Sequence, residues 1–222
     1  MPQPDLTVVV PVASAEQAWI GLVDQIPADW PTVISGTTPR PDRLGPHIRW
    51  LSGQPGRGRQ LNAGAASAQT AWLWFVHADS RLDPRVFTSL PQWCAQRSSG
   101  LGYLDLAFLP DGPGLTRLNA LGANLRSRWF GLPYGDQGLC ISTREFRRLG
   151  GFREDLERGE DLDFVVRARA AGLPATRIPG LIRTSARRYS DQGWLRTTWQ
   201  HQLNARRLIR EARLSPPPRP LP

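Results

Sequence analysis

The ten residues AWLWFVHADS, positions 71–80, form a long apolar run that ends abruptly in a short polar turn. A continuous apolar run, rather than an alternating one, is typical of a strand buried on both faces of a parallel sheet. In open α/β sheets, ligands gather beyond the carboxyl ends of the strands, where Asp79 is expected. A carboxylate there is suited to hold a divalent cation against a phosphorylated ligand. The alternative is that Asp79 only stabilises the turn.

The neighbouring segments extend this strand into an α/β pattern. Apolar, β-branched segments predict strands at residues 6–12, 32–34, 48–51, 72–76, 101–109 and 139–142. Helical periodicity and loop chemistry predict helices at residues 14–26, 59–68, 84–97, 115–129, 144–149 and 162–171. The first eighty residues therefore alternate strand and helix, which is the signature of a Rossmann-like half-domain.

Composition limits the class of protein. The chain has 222 residues, of which 40% are hydrophobic and nine are Trp, so it can bury the core of one α/β domain with or without an appendage. The formal net charge is +9, and the sequence contains Arg but no Lys. This charge suits an anionic substrate, an anionic membrane surface or nucleic acid.

Targeting and cysteine patterns point to the cytoplasm. Cys94 and Cys140 are too few and too far apart for a metal motif or a disulfide framework. The N-terminus lacks a signal-peptide pattern, and no run approaches the ~18 apolar residues of a spanning helix. We therefore expect a cytoplasmic protein that is at most peripheral at the inner membrane surface.

The segment GRGRQLNAG, residues 56–64, joins a loop to a predicted helix. Free backbone N–H groups at a helix start attract phosphate, and the two Arg side chains add charge-assisted hydrogen bonds. The alternative interpretation of this segment is a flexible, solvated turn.

Consecutive carboxylates occur at the start of another predicted helix, in the segment RGEDLD at residues 158–163. Unpaired N–H groups and the helix dipole stabilise negative charge at such a position, so capping alone is one explanation. Asp163 is expected to pair with Arg167 four residues later. Glu160 and Asp161 are left as candidates for general-base chemistry.

Seven short segments occur in a set order: VVVP at 8–11, GRQLNAG at 58–64, HADS at 77–80, PYGDQG at 133–138, GGF at 150–152, ED at 160–161 and TSARR at 184–188. Together they resemble the family 2 glycosyltransferases of the GT-A fold. The resemblance covers about residues 5–200. It is closest to a small bacterial subgroup in which a His-Ala-Asp turn replaces Asp-x-Asp.

This resemblance implies a mostly parallel GT-A sheet flanked by helices. It also implies a metal-dependent, inverting glycosyltransferase that moves a sugar from a nucleotide-sugar donor to an acceptor hydroxyl. Asp79 would hold Mn²⁺ or Mg²⁺ against the donor diphosphate, with His77 facing the same site. Pro11, Arg59 and Asn62 would lie on the donor side.

The resemblance assigns the acceptor side as well. Asp161 would deprotonate the acceptor hydroxyl, with Glu160 beside it. The remaining residues would face the acceptor, the leaving group or phosphate: Asp136, Gln137, Arg187 and Arg188. Metal and Arg would then stabilise the departing diphosphate while a carboxylate activates the nucleophile.

The chain departs from the family pattern where relatives carry a base-contacting Asp. Ser35 occupies that position and cannot provide an ionised, bidentate acceptor. A catalytically degenerate protein that binds nucleotide sugar without turnover is therefore one alternative. Another is a basic nucleic-acid-binding protein, although it gives the acidic pair and the His-Ala-Asp turn no role. A third is a nucleotidyltransferase-like protein of the GT-A fold, although residues 10–14 lack the Gly-rich, Lys-containing loop that such enzymes usually have after the first strand.

Three regions are predicted along the chain. Residues 1–193 would form the GT-A domain, residues 194–214 a basic amphipathic helix, and residues 215–222 a disordered proline-rich tail. The apolar stripe of the helix would either pack on the catalytic domain or lie on an anionic membrane. The second arrangement would bring the site near a lipid-linked acceptor.

Overall fold

The computed structural model describes residues 4–14, 16–42, 44–45, 47–187 and 207–212. Three sequence-based predictions fall wholly or mainly elsewhere. Arg188, most of the predicted C-terminal helix and the proline-rich tail lie outside the described residues.

The described residues form one eight-stranded sheet with helices on both sides. The strands are β1 (Leu6–Pro11), β2 (Thr32–Gly36), β3 (Ile48–Ser52), β4 (Trp72–Phe75), β5 (Arg81–Leu82), β6 (Leu101–Phe108), β7 (Cys140–Ser142) and β8 (Ala175–Thr184). The helices are α1 (Trp19–Val23), α2 (Arg57–Ala66), α3 (Val86–Ala95), α4 (Thr116–Phe130), α5 (Thr143–Arg148) and α6 (Glu160–Ala170). A 3₁₀ turn covers Gly135–Gln137, and residues 207–212 are also helical.

Strand order brings the candidate residues to one edge of the sheet. The order is β3-β2-β1-β4-β7-β6-β8-β5, with the first four strands parallel to one another. Strand β7 is antiparallel to both β4 and β6, and β8 is parallel to β6. The ends of β1, β2, β3, β4 and β8 and the start of β7 therefore share one edge, here called the carboxyl edge.

The apolar run at residues 71–76 is a strand buried on both faces, as its sequence predicts. Trp72 and Trp74 pack into the core on one side of the sheet. Leu73 and Phe75 pack into a second core on the other side. Strand β4 pairs with β1 and β7 and so lies inside the sheet, which leaves the turn after it at the carboxyl edge.

Strand β8 has no counterpart among the predicted elements. Its sequence, ATRIPGLIRT, contains Pro179 and Gly180, residues that normally argue against a strand. The pairing register with β6 shifts between the pairs Tyr103–Arg177 and Asp105–Leu181, so β8 carries a bulge at this point. The bulge accommodates the Pro-Gly pair inside an otherwise regular strand.

Residues 207–212 belong to the packed structure. Leu208 and Ile209 are partly buried and Ala212 is buried, in a cluster with Leu162 and Val166 of α6. For these residues, the structure has the packed arrangement that was one of the two alternatives for the C-terminal helix. In the part of the chain that the structure describes, no helix combines the length and apolarity that crossing a membrane requires.

Candidate active site

Asp79 lies at the carboxyl edge, in the turn that follows β4. The N–H of Val76 donates to the carbonyl of Val9 at 3.1 Å, which extends the strand pairing up to the turn. The N–H of Ser80 then donates to the carbonyl of His77 at 3.1 Å and closes the turn. The hydroxyl of Thr184, at the end of β8, donates to Asp79 Oδ2 at 3.2 Å. The half-buried carboxylate is thus fixed between two strand ends.

The acidic pair begins helix α6, as its sequence predicts. Glu160 and Asp161 lie in the first turn, after Gly159 in the left-handed conformation with φ 84°. Both carboxylates are buried. The expected pair of Asp163 with Arg167 is present at 2.8 Å, so that acid is accounted for within the helix.

Arg57 is a site residue that the sequence indicated only as one of two Arg side chains suited to phosphate at a helix start. It begins α2, and its Nε donates to Oε1 of Glu160, while Nη2 lies 3.6 Å from Oδ2 of Asp161. Arg59, which the family resemblance favoured, is half-exposed, with Nε 3.6 Å from Oε2 of Glu154. A Gly-Arg-Gly-Arg loop indicates a cationic helix start, but not which Arg reaches an acid about a hundred positions away.

Gly135 lies where His77 and Asp161 converge. Its N–H donates to Oδ2 of Asp161 at 2.5 Å. A Cβ atom added at this position would lie 2.8 Å from Oδ2 of Asp161 and 3.0 Å from Nε2 of His77. The turn after β4, the 3₁₀ turn before β7 and the first turn of α6 therefore meet around one glycine.

The two acids of α6 have opposite electrostatic environments. Burial acts to raise the pKa of Asp161, but the charge of Arg57, the Gly135 N–H and the nearby His77 outweigh it and lower that pKa. For Glu160, burial and repulsion from Asp161 outweigh the attraction of Arg57 and raise the pKa. Asp161 is thus the acid held in its charged form.

Asp136 is a third acid at this point of the sheet, in the 3₁₀ turn. Burial and repulsion from Asp161 raise its pKa to about 6, against the opposing charges of Arg126 and Arg57. Its Oδ1 is buried with no hydrogen-bond partner in the structure, and so is Nη2 of Arg126. The guanidinium of Arg126 stacks 3.4 Å from the ring centroid of Tyr134. Unpaired polar atoms in such a place are candidates for ligand contacts.

Asn62 and Gln137 have buried side chains that fix the surrounding loops. Asn62 donates to the carbonyl of Phe152 at 2.8 Å and accepts the Phe152 N–H at 2.9 Å. It also donates to Oε1 of Glu154 at 2.9 Å. Gln137 Oε1 accepts the hydroxyl of Ser127 at 2.7 Å. These bonds give both amides a positional role, and their contacts with substrate stay a prediction.

Pro11 and Arg187 complete the predicted set within the described residues. Pro11 is buried at the end of β1, opposite Ser35 of β2. Arg187 is exposed, and its Nε donates to the Ser185 hydroxyl at 3.0 Å and lies 3.6 Å from Oδ2 of Asp111. Roles for Pro11 in donor binding and for Arg187 in phosphate binding stay predictions.

Gln60 is a further residue at this edge that the sequence did not single out. Its buried Nε2 donates to the carbonyls of Val12 and Ser35, both at 2.7 Å. One amide thereby joins the ends of β1 and β2, next to the position where the family pattern has a base-contacting Asp.

The described acids fit a cation that is shared with a ligand. No group of three or more His, Cys, Asp or Glu side chains is arranged as a metal cage among the described residues. Asp79 offers a carboxylate at the carboxyl edge, and Asp136 offers an unpaired buried oxygen. Mg²⁺ is commonly held by one or two carboxylates together with substrate phosphates. The donor set suits a divalent cation in that mode.

Comparison with solved structures identifies the architecture. No protein-family model matches the sequence, and no curated protein matches it. S. aureus TarS 1–349 matches with a TM-score of 0.60 at 12% identity, over 81% of this chain and 60% of that one. The described sheet and helices match those of GT-A glycosyltransferases such as TarS. This chain has the GT-A fold.

Two further GT-A structures were solved with nucleotide ligands. TarS 1–349 in complex with UDP-GlcNAc matches with a TM-score of 0.59 at 13% identity, over 81% of this chain and 58% of that one. The mannosyltransferase PcManGT from Pyrobaculum calidifontis, in complex with GDP-Man and Mn²⁺, matches with a TM-score of 0.59 at 16% identity, over 81% of this chain and 56% of that one. This chain spans less than two thirds of the length of each structure, and the likeness shows a shared GT-A fold.

Proposed function

We propose that this chain transfers a sugar from a nucleotide-sugar donor to an acceptor hydroxyl in a single, inverting displacement assisted by a divalent cation. The observation that carries the proposal is the meeting of Asp161, His77 and Gly135 at the carboxyl edge of a GT-A sheet. Solved structures of the same fold contain UDP-GlcNAc, or GDP-Man with Mn²⁺. Those ligands belong to the related structures and indicate the class of donor to test.

Asp161 is the proposed general base. Arg57, the Gly135 N–H and His77 keep its carboxylate charged and orient it, so that it can take a proton from an acceptor hydroxyl. Glu160 is less suited because Arg57 occupies its Oε1 and its pKa is raised by burial. Its proposed role is to hold Arg57, which in turn holds Asp161.

Asp79 is the proposed contact to the metal, with His77 beside it. A divalent cation would neutralise the diphosphate of the donor as it leaves the sugar. Thr184 positions the Asp79 carboxylate, and Asp136 adds a buried oxygen close enough for the two acids to repel each other. Arg59 and Pro11 are proposed for the donor side of the same edge.

A thermal-shift screen tests this function directly. The ligands are UDP, GDP, UDP-GlcNAc and GDP-Man, each with Mn²⁺, with Mg²⁺ and with a chelator. A ligand at a hundred times its Kd stabilises by roughly 2.7 kcal/mol, which raises the Tm of a chain of this size by roughly 5–10 °C. If none of the four nucleotides shifts the Tm under any condition, the proposed donor class is wrong.

Matched variants separate the metal from the nucleotide. Asp79→Asn should lose the cation-dependent part of the shift while its ligand-free Tm stays near that of the wild type. Asp155→Asn is the control, because Asp155 is an exposed acid paired with Arg153. An Asp79→Asn protein whose response to Mn²⁺ and nucleotide equals that of the wild type contradicts the metal assignment.

A further inference from the structure

Helix α4 carries an exposed apolar face, here called the α4 face. Its residues are between 51% and 73% exposed: Leu115, Leu118, Leu121, Trp129 and Phe130. Positions 118, 121, 125 and 129 are all Leu or Trp, and their spacing of three and four residues places them on one side of a helix. Leu118, Leu121 and Trp129, with the partly buried Leu125 between them, therefore form a stripe along α4, and Leu115 and Phe130 lie at its two ends.

The residues on the inner side of α4 are small or polar. Thr116, Ala120 and Ser127 are the buried residues of this helix. Asn124 faces the sheet and pairs with the backbone of Leu106, accepting its N–H at 2.8 Å and donating to its carbonyl at 3.0 Å. A surface helix normally turns its apolar stripe inward and its polar side to water. Helix α4 has the opposite orientation, so its sequence is suited to an apolar surface outside the domain.

The charges that helix α4 itself carries are all positive. The helix contains Arg117, Arg126 and Arg128 and no acidic residue. At 100° per residue, Arg117 and Arg128 lie on one side of the apolar stripe and Arg126 on the other. Arg128 also pairs with Asp105 of β6 at 3.0 Å, whereas Arg117 is exposed. An apolar stripe with basic flanks is the pattern of a helix lying in the interface of an anionic bilayer.

We propose that the α4 face docks on an anionic lipid surface, with Leu118, Leu121 and Trp129 entering the interface. A second copy of the chain is the less suitable partner, because two faces with basic flanks on chains of net charge +9 repel each other. Aromatic side chains such as Trp129 and Phe130 favour the headgroup level of a membrane. Contiguous exposed apolar patches are uncommon on monomeric proteins and mark interaction sites.

Helix α4 is joined to the proposed active site through Arg126. Arg126 donates to the carbonyl of Leu132 at 2.9 Å and stacks on Tyr134, the residue before Gly135. If the proposed glycosyl transfer is correct, docking would bring its site to a lipid-linked acceptor. The docking itself does not depend on that function, so vesicle binding is measured without any donor or acceptor.

Vesicle sedimentation tests the proposal on the full chain. The vesicles are pure phosphatidylcholine, or phosphatidylcholine with phosphatidylglycerol, each at low and high salt. The wild type should pellet with the anionic vesicles at low salt and bind several-fold less at high salt. Leu121→Ser and Trp129→Ser should each lower the partition coefficient by roughly tenfold, the effect expected for losing one inserted side chain. Arg117→Gln should weaken binding roughly fivefold, and only to anionic vesicles.

Ile20→Ser is the matched control, because Ile20 is a comparably exposed side chain, 49%, on α1. It should bind vesicles like the wild type, and all variants should keep the wild-type Tm. A wild type that stays in the supernatant under every condition overturns the proposal. Binding that survives both α4 substitutions overturns it too, because the contact then lies elsewhere. A doubled mass by light scattering that Trp129→Ser abolishes would assign the α4 face to a second copy instead.

Discussion

Replacing Gly135 by Ala tests whether three elements really converge on one point. The added Cβ would lie 2.8 Å from Oδ2 of Asp161 and 3.0 Å from Nε2 of His77. Ordinary carbon–oxygen contacts begin at about 3.3 Å, so the carboxylate must retreat by about 0.5 Å. It cannot do so freely, because Arg57 and the Gly135 N–H hold it. A misplacement of about 1 Å costs on the order of 100-fold in rate, so half of that predicts about tenfold.

The assay is nucleoside diphosphate release from the donor that the thermal-shift screen identifies. Gly135→Ala should lower kcat about tenfold and lower the free energy of unfolding by about 1–3 kcal/mol through overpacking. The Kd for nucleoside diphosphate should change less than kcat, because the proposed metal contact Asp79 and its partner Thr184 are untouched and only His77 is displaced on that side. Gly122→Ala makes the same chemical change in open space on α4 and should keep full activity. Wild-type kcat and Tm in Gly135→Ala would refute the convergence of His77 and Asp161 at this position.

Two further predictions concern the acids at the same edge. Asp161→Asn should lower kcat by on the order of 100-fold or more while nucleotide binding survives. Full turnover in Asp161→Asn together with an inactive Glu160→Gln would make Glu160, and not Asp161, the general base. Asp136 has a folded-state pKa of about 6 against an ordinary 3.8, so its contribution to stability is complete below about pH 4 and is lost as the pH rises through 6. At pH 8, the free energy of unfolding of Asp136→Asn should therefore exceed that of the wild type by on the order of 2–3 kcal/mol. Near pH 4 the two proteins should be equally stable. Urea unfolding at both pH values measures this difference. The control is Asp155→Asn, which should show no such gain at pH 8, because Arg153 lowers the pKa of Asp155. Equal stability of Asp136→Asn and wild type at pH 8 would contradict the raised pKa of Asp136.

Local sequence patterns predicted the elements whose signals are local. The run before Asp79 is a strand buried on both faces because apolar residues at every position have a core to enter on either side. The acidic segment begins α6 because free N–H groups at a helix start favour carboxylates. Strand β8 was missed because Pro179 and Gly180 interrupt its pattern, and only pairing with β6 makes the bulge acceptable.

Relations between distant segments could not be read from the sequence. The pairing of Arg57 with Glu160 joins residues 103 positions apart, and the contact of Gly135 with Asp161 spans 26. Neither spacing has a periodicity that sequence reasoning can detect. The outward orientation of the apolar side of α4 could not be predicted from the sequence either. Helical spacing of Leu118 and Leu121 indicates a helix with an apolar side, but only the fold shows that this side faces outward.

The contact between Leu208 and Gly159 has a consequence for the order in which the site is assembled during synthesis. A Cβ atom at Gly159 would press against the end of the Leu208 side chain, and the cluster that Leu208 joins includes Leu162 of α6. Chains emerge from the ribosome N-terminal end first, at about 5–20 residues per second. Strands β1 to β4 can therefore pair while the rest is still being made. Among the described residues, 207–212 are the last to emerge that pack on α6, so the helix that carries Asp161 is secured late.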